Sequence, residues 1–216
     1  MFSALLRVLC GSAVITNNGN TSVLFRTSTS ALISSGDIMK LKTERILISA
    51  LLIVLCAASA WAEVADSSAH GFTVRSTVLV PGSARQAYQK FVQGVGKWWD
   101  SQHTYSGNAS NLSIDERLGG YFHEKLPGGG FIEHMRVVYS DPGKMLRMSG
   151  GLGPLQELGA AGAMTVAFVE KDSKTEVTMT YAAGGHMKGG LGSIAGIVNK
   201  VLALQLSHFQ AYAEKK

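Results

Sequence analysis

Residues 191–212 constrain this chain more than any other stretch. Leu191, Ile194, Ala195, Val198, Val201, Leu202, Leu206, Phe209 and Tyr212 recur at helical spacing. They fall on one stripe about 140° wide when projected at about 100° per residue. Asn199, Lys200, Ser207 and Glu214 lie opposite. A helix with so broad an apolar stripe must lay it against a larger apolar surface, and the residues before it supply a sheet. "FTVRSTVLV" (72–80) alternates and is β-branched; "NLSIDER" (111–117), "GYFHEKL" (120–126), "GFIEHMRVVYS" (130–140), "KMLRMSG" (144–150), "AMTVAFVEK" (163–171) and "TEVTMTYA" (175–182) follow as strands. Leu-Gly-Gly, Pro-Gly-Gly-Gly, Asp-Pro-Gly and Asp-Ser-Lys mark tight turns between most of them. Ser83 caps a short helix running to Gln93, which Gly94 and Gly96 break just before Trp98 and Trp99. Strands in sequence, helices segregated and no βαβ alternation predict an α+β domain with a mainly antiparallel sheet.

The domain does not occupy the whole chain of 216 residues. In "MKLKTERILISALLIVLCAASAWA" (39–62), Lys40, Lys42 and Arg45 form a basic start and Ala60-Trp61-Ala62 a small-x-small cleavage site, which together describe a signal peptide cut before Glu63. The apolar run between them is about 13 residues, short of the about 20 that a membrane span needs. No stable membrane span is therefore expected after cleavage. Residues 1–38, rich in Ser and Thr, form an over-extended leader, or a transit peptide if the destination is an organelle. Residues 63–70 are expected to be a linker and 71–216 the folded domain, in an exported, periplasmic or secreted protein.

Charge and cysteine content then narrow the function. The formal net charge of +5 belongs mostly to the targeting segments; from Glu63 onward about 15 basic residues face about 13 acidic ones without a basic cluster, which argues against nucleic-acid binding. Cys10 and Cys56 both precede the expected cut. The mature domain thus has no disulfide, no thiol nucleophile and no zinc-thiolate site. The glycine-rich stretches 150–164 and 182–192 lack the endings and context of phosphate loops, and no Gly-x-Ser-x-Gly elbow is present.

In the order "STVLVPGSARQAYQKF", "KWWDSQHTYSG", "LGGYFHE", "FIEHMRVVYSDPGKMLRMSGGLGPLQ" and "IVNKVLALQLSHFQAY", the chain resembles the SRPBCC, START-like or helix-grip superfamily. That group includes birch-pollen-allergen-like proteins, polyketide cyclases and heat-shock ATPase activators, and the likeness is greatest to an exported, uncharacterised branch. The resemblance implies a curved antiparallel sheet wrapped around a long C-terminal helix, with two short helices after the first strand. It also implies a cavity between sheet and helix for a small hydrophobic ligand, in a monomer or weak homodimer with no cofactor. Trp98, Trp99, Phe122, Met135, Arg136, Phe168, Met179, Tyr181 and Gln205 are the expected wall, mouth or ligand-contacting residues, one tryptophan plugging the core and the other facing the cavity.

Catalysis is the competing expectation. A four-residue Pro-Gly-Gly-Gly loop would set Glu124 opposite Glu133 and Phe122 opposite Met135 on one face, and His123 opposite His134 and Tyr121 opposite Arg136 on the other. Two desolvated carboxylates facing each other would repel, raising one pKa and making a proton donor for cyclase or dehydratase chemistry, with His134 or Arg136 steadying negative charge. The alternative is that these glutamates are solvated or paired with Arg136 or Lys125. Two histidines without a third ligand make a poor metal site, so no metal is expected.

Overall fold

The computed structural model describes residues 61–215. The leader and the signal segment as far as residue 60 lie outside the described residues. Strands β1 (Trp61–Ser68) and β2 (Gly71–Pro81) precede helices α1 (Ala84–Gln93) and α2 (Val95–Trp98). Then come β3 (Leu112–Ile114), β4 (Tyr121–Lys125), β5 (Phe131–Asp141) and β6 (Met145–Ser149). β7 (Ala161–Lys171), β8 (Lys174–Gly184) and helix α3 (Ala195–Ala213) complete the domain. The strands form one antiparallel sheet in the order β1-β2-β8-β7-β6-β5-β4-β3, curved around the C-terminal helix. This is the helix-grip architecture.

Local chemistry explains most of the boundaries. Ser83 and Gln86 form a reciprocal capping box at the start of α1, satisfying two backbone donors that a helix otherwise leaves free. The β7–β8 hairpin turns through Asp172, whose φ of 55° suits a short polar side chain. The stripe of α3 is prefaced by a 3₁₀ turn at Leu191–Ile194, so the α-helix proper starts at Ala195.

Two expectations are corrected. Residues 63–70 are not a linker through most of their length: β1 pairs Glu63 with Arg75 and Ser68 with Gly71. All eight of its residues are exposed, so backbone hydrogen bonds to β2 hold it and no buried-face alternation announces it. Trp61 and Ala62, the last residues of the expected signal segment, open this strand opposite Thr77 and Ser76.

The second correction concerns the β4–β5 register. Tyr121 faces Arg136 and Phe122 faces Met135 as expected, but His123 faces Glu133, Glu124 faces Ile132 and Lys125 faces Phe131. The turn takes five residues, with Leu126 and Gly130 joined by a backbone hydrogen bond and Gly128 and Gly129 both at φ above 90°, a region that glycine enters without steric cost. A β-bulge at His134 absorbs the offset. It puts two consecutive residues, His134 and Met135, into the interior. Glu124 and Glu133 therefore do not face each other, nor do His123 and His134.

Crossing from β2 to the far edge strand β3, α1 and α2 close one end of the sheet. Tyr88 and Phe91 of α1 pack edge-on against Phe168 of β7, and Phe91 also meets Phe209 of α3. Each buried side chain of this size contributes roughly 1.5–3 kcal/mol.

Candidate functional site

The adjacent tryptophans part company because α2 ends between them. Trp98 is its last residue, whereas Trp99 is extended, with φ −67° and ψ 143°. Trp98 points into the core: its indole N–H donates to the Phe91 carbonyl at 3.0 Å, and its ring meets Phe91 and Phe209 at 4.8 and 5.5 Å. Trp99 donates its indole N–H to the His103 carbonyl at 3.0 Å and meets the Phe122 ring edge-on at 5.4 Å. Gly94 is needed here, since a Cβ would come within 2.6 Å of the Tyr212 ring of α3. Just after the pair, the Asp100 backbone N–H donates to Oε1 of Gln205 at 2.8 Å. This bond pins the following loop to α3.

A cavity of about 540 Å³ opens beside Trp99. One wall is the loop from Trp99 to Tyr105. Phe122, His134 and Tyr181 form the sheet face, Leu152 to Leu155 and Leu158 a second wall, and Ile194 of the 3₁₀ turn with Ile197, Val198, Val201 and Leu202 of α3 the third. Tyr181 is braced by its own hydroxyl, which donates to the Gly150 carbonyl at 3.1 Å and accepts the Leu152 N–H at 3.0 Å. Burial raises its phenol pKa, while the Leu152 N–H works against that shift. Gly162 lies under the ring, where a Cβ would be 2.6 Å from the hydroxyl oxygen.

Set into the sheet wall is a buried polar pair, with His134 at the cavity. Glu124 is 0% exposed and His134 5%, and Nε2 of His134 lies 3.1 Å from Oε2 of Glu124. Glu124 also accepts the Tyr105 N–H at 3.1 Å and the Ser106 N–H. Burial acts to raise its pKa, but these donors outweigh it and hold the carboxyl below its ordinary value. Burial pulls the His134 imidazole below its ordinary 6.5, more strongly than Glu124 raises it. An ionised carboxylate beside a neutral imidazole fixes the tautomer: Nε2 carries the proton and donates, leaving Nδ1 as a lone-pair acceptor. Nδ1 is buried and has no partner among the described residues.

The expected site residues divide accordingly. Trp99, Phe122, His134 and Tyr181 line the cavity. Trp98, Met135, Phe168 and Met179 are buried core and do not reach it, and Gln205 serves the Asp100 backbone instead. Arg136 and Glu133 lie on the outer face, 3.1 Å apart, with the guanidinium over the Tyr121 ring. Among the described residues no three His, Cys, Asp or Glu side chains gather closely enough to hold a metal ion. The loop at 102–105, the turn at 152–158 and Ile197 carry no sequence mark of a wall. Only the closeness of several glycines to 152–158 hinted that this segment turns sharply.

No family model matches the chain, and no curated protein matches it. Solved structures do. A conserved protein of unknown function from Enterococcus faecalis is 11% identical over 74% of this chain and 79% of its own, with a TM-score of 0.49. A protein from Mesorhizobium loti is 11% identical over 65% and 95%, at 0.48. Another from Rhizobium loti is 19% identical over 71% and 99%, at 0.46. Among the described residues no helix is long and apolar enough to cross a membrane.

Proposed function

We propose that this chain is an exported carrier, of the kind the SRPBCC likeness implies, that holds a small hydrophobic or amphipathic molecule between its sheet and C-terminal helix. The supporting observation is the cavity itself: about 540 Å³, walled mainly by aliphatic and aromatic side chains from six separate segments. That volume lies within the roughly 300–1,000 Å³ of small-molecule sites, where apolar walls supply affinity and a few polar groups set orientation.

The test is native mass spectrometry of the full chain expressed and exported in its own host, followed by denaturing extraction. A discrete bound molecule, lost when Trp99 or Tyr181 is replaced by alanine, is the expected result; a ligand-free mass from repeated preparations would count against the carrier. Sequencing the mature N-terminus checks export separately, with Glu63 expected as the first residue.

One observation favours a second reading, proton transfer on a cavity-bound substrate. The buried Glu124–His134 pair leaves a neutral imidazole with a free lone pair, the arrangement of a general base held in one tautomer. In this version the base is His134, and Glu133 takes no part.

A further inference from the structure

Hydrogen-bond accounting around the cavity singles out one atom, and the inference drawn from it rests on the carrier reading above. The Trp99 indole N–H is taken by the His103 carbonyl. The Thr104 hydroxyl donates to the Ser101 carbonyl at 2.7 Å. The Tyr181 hydroxyl both donates and accepts within the protein. Gln102, His103 and Tyr105 are exposed, so water can serve them at the mouth. Among the described residues, His134 alone lines the cavity with a buried nitrogen that has no hydrogen-bond partner. Leaving such an atom unpaired is costly, and native interiors rarely do so.

We infer that Nδ1 of His134 is the polar anchor of the cavity and that the ligand is an apolar molecule bearing a hydroxyl or N–H donor, such as a phenol or a long-chain or cyclic alcohol. Glu124 enforces this choice. As an ionised carboxylate it is acceptor-only, so Nε2 must donate to it and Nδ1 can only accept. A carboxylate or phosphate ligand would meet a lone pair with a buried anion behind it. An ether or hydrocarbon of the same shape would fill the apolar walls but leave Nδ1 unpaired. The site therefore discriminates by the ligand's proton and not by charge attraction. Phe122 and Tyr105 flank the imidazole, with ring centroids 4.9 and 6.0 Å away, and hold its plane.

Calorimetric titration of the exported protein with 2-naphthol, 2-methoxynaphthalene and 2-naphthoate tests the inference. The naphthol should bind about 3- to 10-fold more tightly than its ether, the worth of one hydrogen bond, and the naphthoate more weakly than either. His134→Phe should bring naphthol and ether to within about 2-fold of each other, since neither can then find the acceptor. Because that variant strands the Glu124 carboxylate, ¹⁵N NMR of the unsubstituted protein gives a second readout. Nδ1 of His134 should resonate as an unprotonated nitrogen and move upfield with naphthol but not with the ether. A protonated Nδ1, or equal affinity for naphthol and ether, overturns the polar assignment and leaves the carrier reading intact. Failure of all three probes to bind overturns the carrier reading together with the assignment.

Discussion

The two halves of the sheet are built on different terms. In the β2-β8-β7 half the ladders run without a register shift from Gly71↔Gly184 to Pro81↔Lys174 and from Ala161↔Gly184 to Lys171↔Lys174. Their inward residues, such as Val74, Val78, Val166, Phe168, Val177 and Met179, alternate strictly and are mostly apolar, with Ser76 and Thr175 the uncharged polar exceptions. In the β4-β5 half the ladder breaks at His134, the turn uses five residues, and the inward face carries Glu124 and His134. The regular half buries area; the interrupted half buries a hydrogen-bonded pair. The comparison shows what a single extra residue can do. Without the bulge His134 would point outward, and Glu124 would be a buried carboxylate lacking its side-chain partner.

Four experiments break or sharpen this contrast. Glu124→Ala removes the acceptor for His134 and for two backbone N–H groups, and each buried donor left without a partner costs about 1–3 kcal/mol. Denaturant unfolding should show that loss; a cost no larger than that of a surface substitution would erase the distinction between the halves. Phe168→Ala, in the regular half, should cost about 3–4 kcal/mol through the cavity it leaves. It should leave probe affinity in the ligand cavity unchanged, because Phe168 does not line that cavity.

Gly162→Ala tests the regular half where Tyr181 reaches the cavity. Its new methyl would press on the Tyr181 hydroxyl, and overpacking of this order costs about 1–3 kcal/mol. Weaker ligand binding should accompany it, as Tyr181 loses its grip on Gly150 and Leu152; a stability loss without a binding change would separate the brace from the wall.

The smallest effect is in pH. His134 is held below its ordinary 6.5, so below that pH the unfolded chain takes up a proton that the folded state resists, and stability falls as pH drops from 7 to 5. Glu124, also held low, adds its own loss at more acid pH, where the unfolded carboxylate is protonated before the folded one. In His134→Phe the stability slope between pH 7 and 5 should flatten relative to the parent; an unchanged slope would mean that His134 does not titrate differently on folding.

What could be read from the residues follows from how local each signal is. The Ser83 cap, the alternation in 72–80 and 175–182, the hairpin turn at Asp172 and the α3 stripe all depend on neighbours within one or two turns of chain. The division of labour between Trp98 and Trp99 was also legible, because two adjacent side chains cannot share a face. β1 was not, since an exposed edge strand has no buried face to print an apolar period on its sequence. The bulge was not legible either. Whether Pro127 to Gly130 turns in four residues or five depends on the φ values of Gly128 and Gly129, and composition permits both. That one-residue difference moved Glu133 to the outer surface and paired Glu124 with His134.

The sequence by itself therefore determined the α+β order, the strand and helix identities and the apolar face that the sheet and α3 bury together, because periodicity and turn chemistry are properties of short segments. Only the tertiary structure decided which polar groups share the interior. Pairing across β4 and β5, the approach of the Tyr105 and Ser106 amides to Glu124, and the hold of Gln205 on Asp100 bring together residues up to 105 positions apart, and no local pattern encodes contacts of that range.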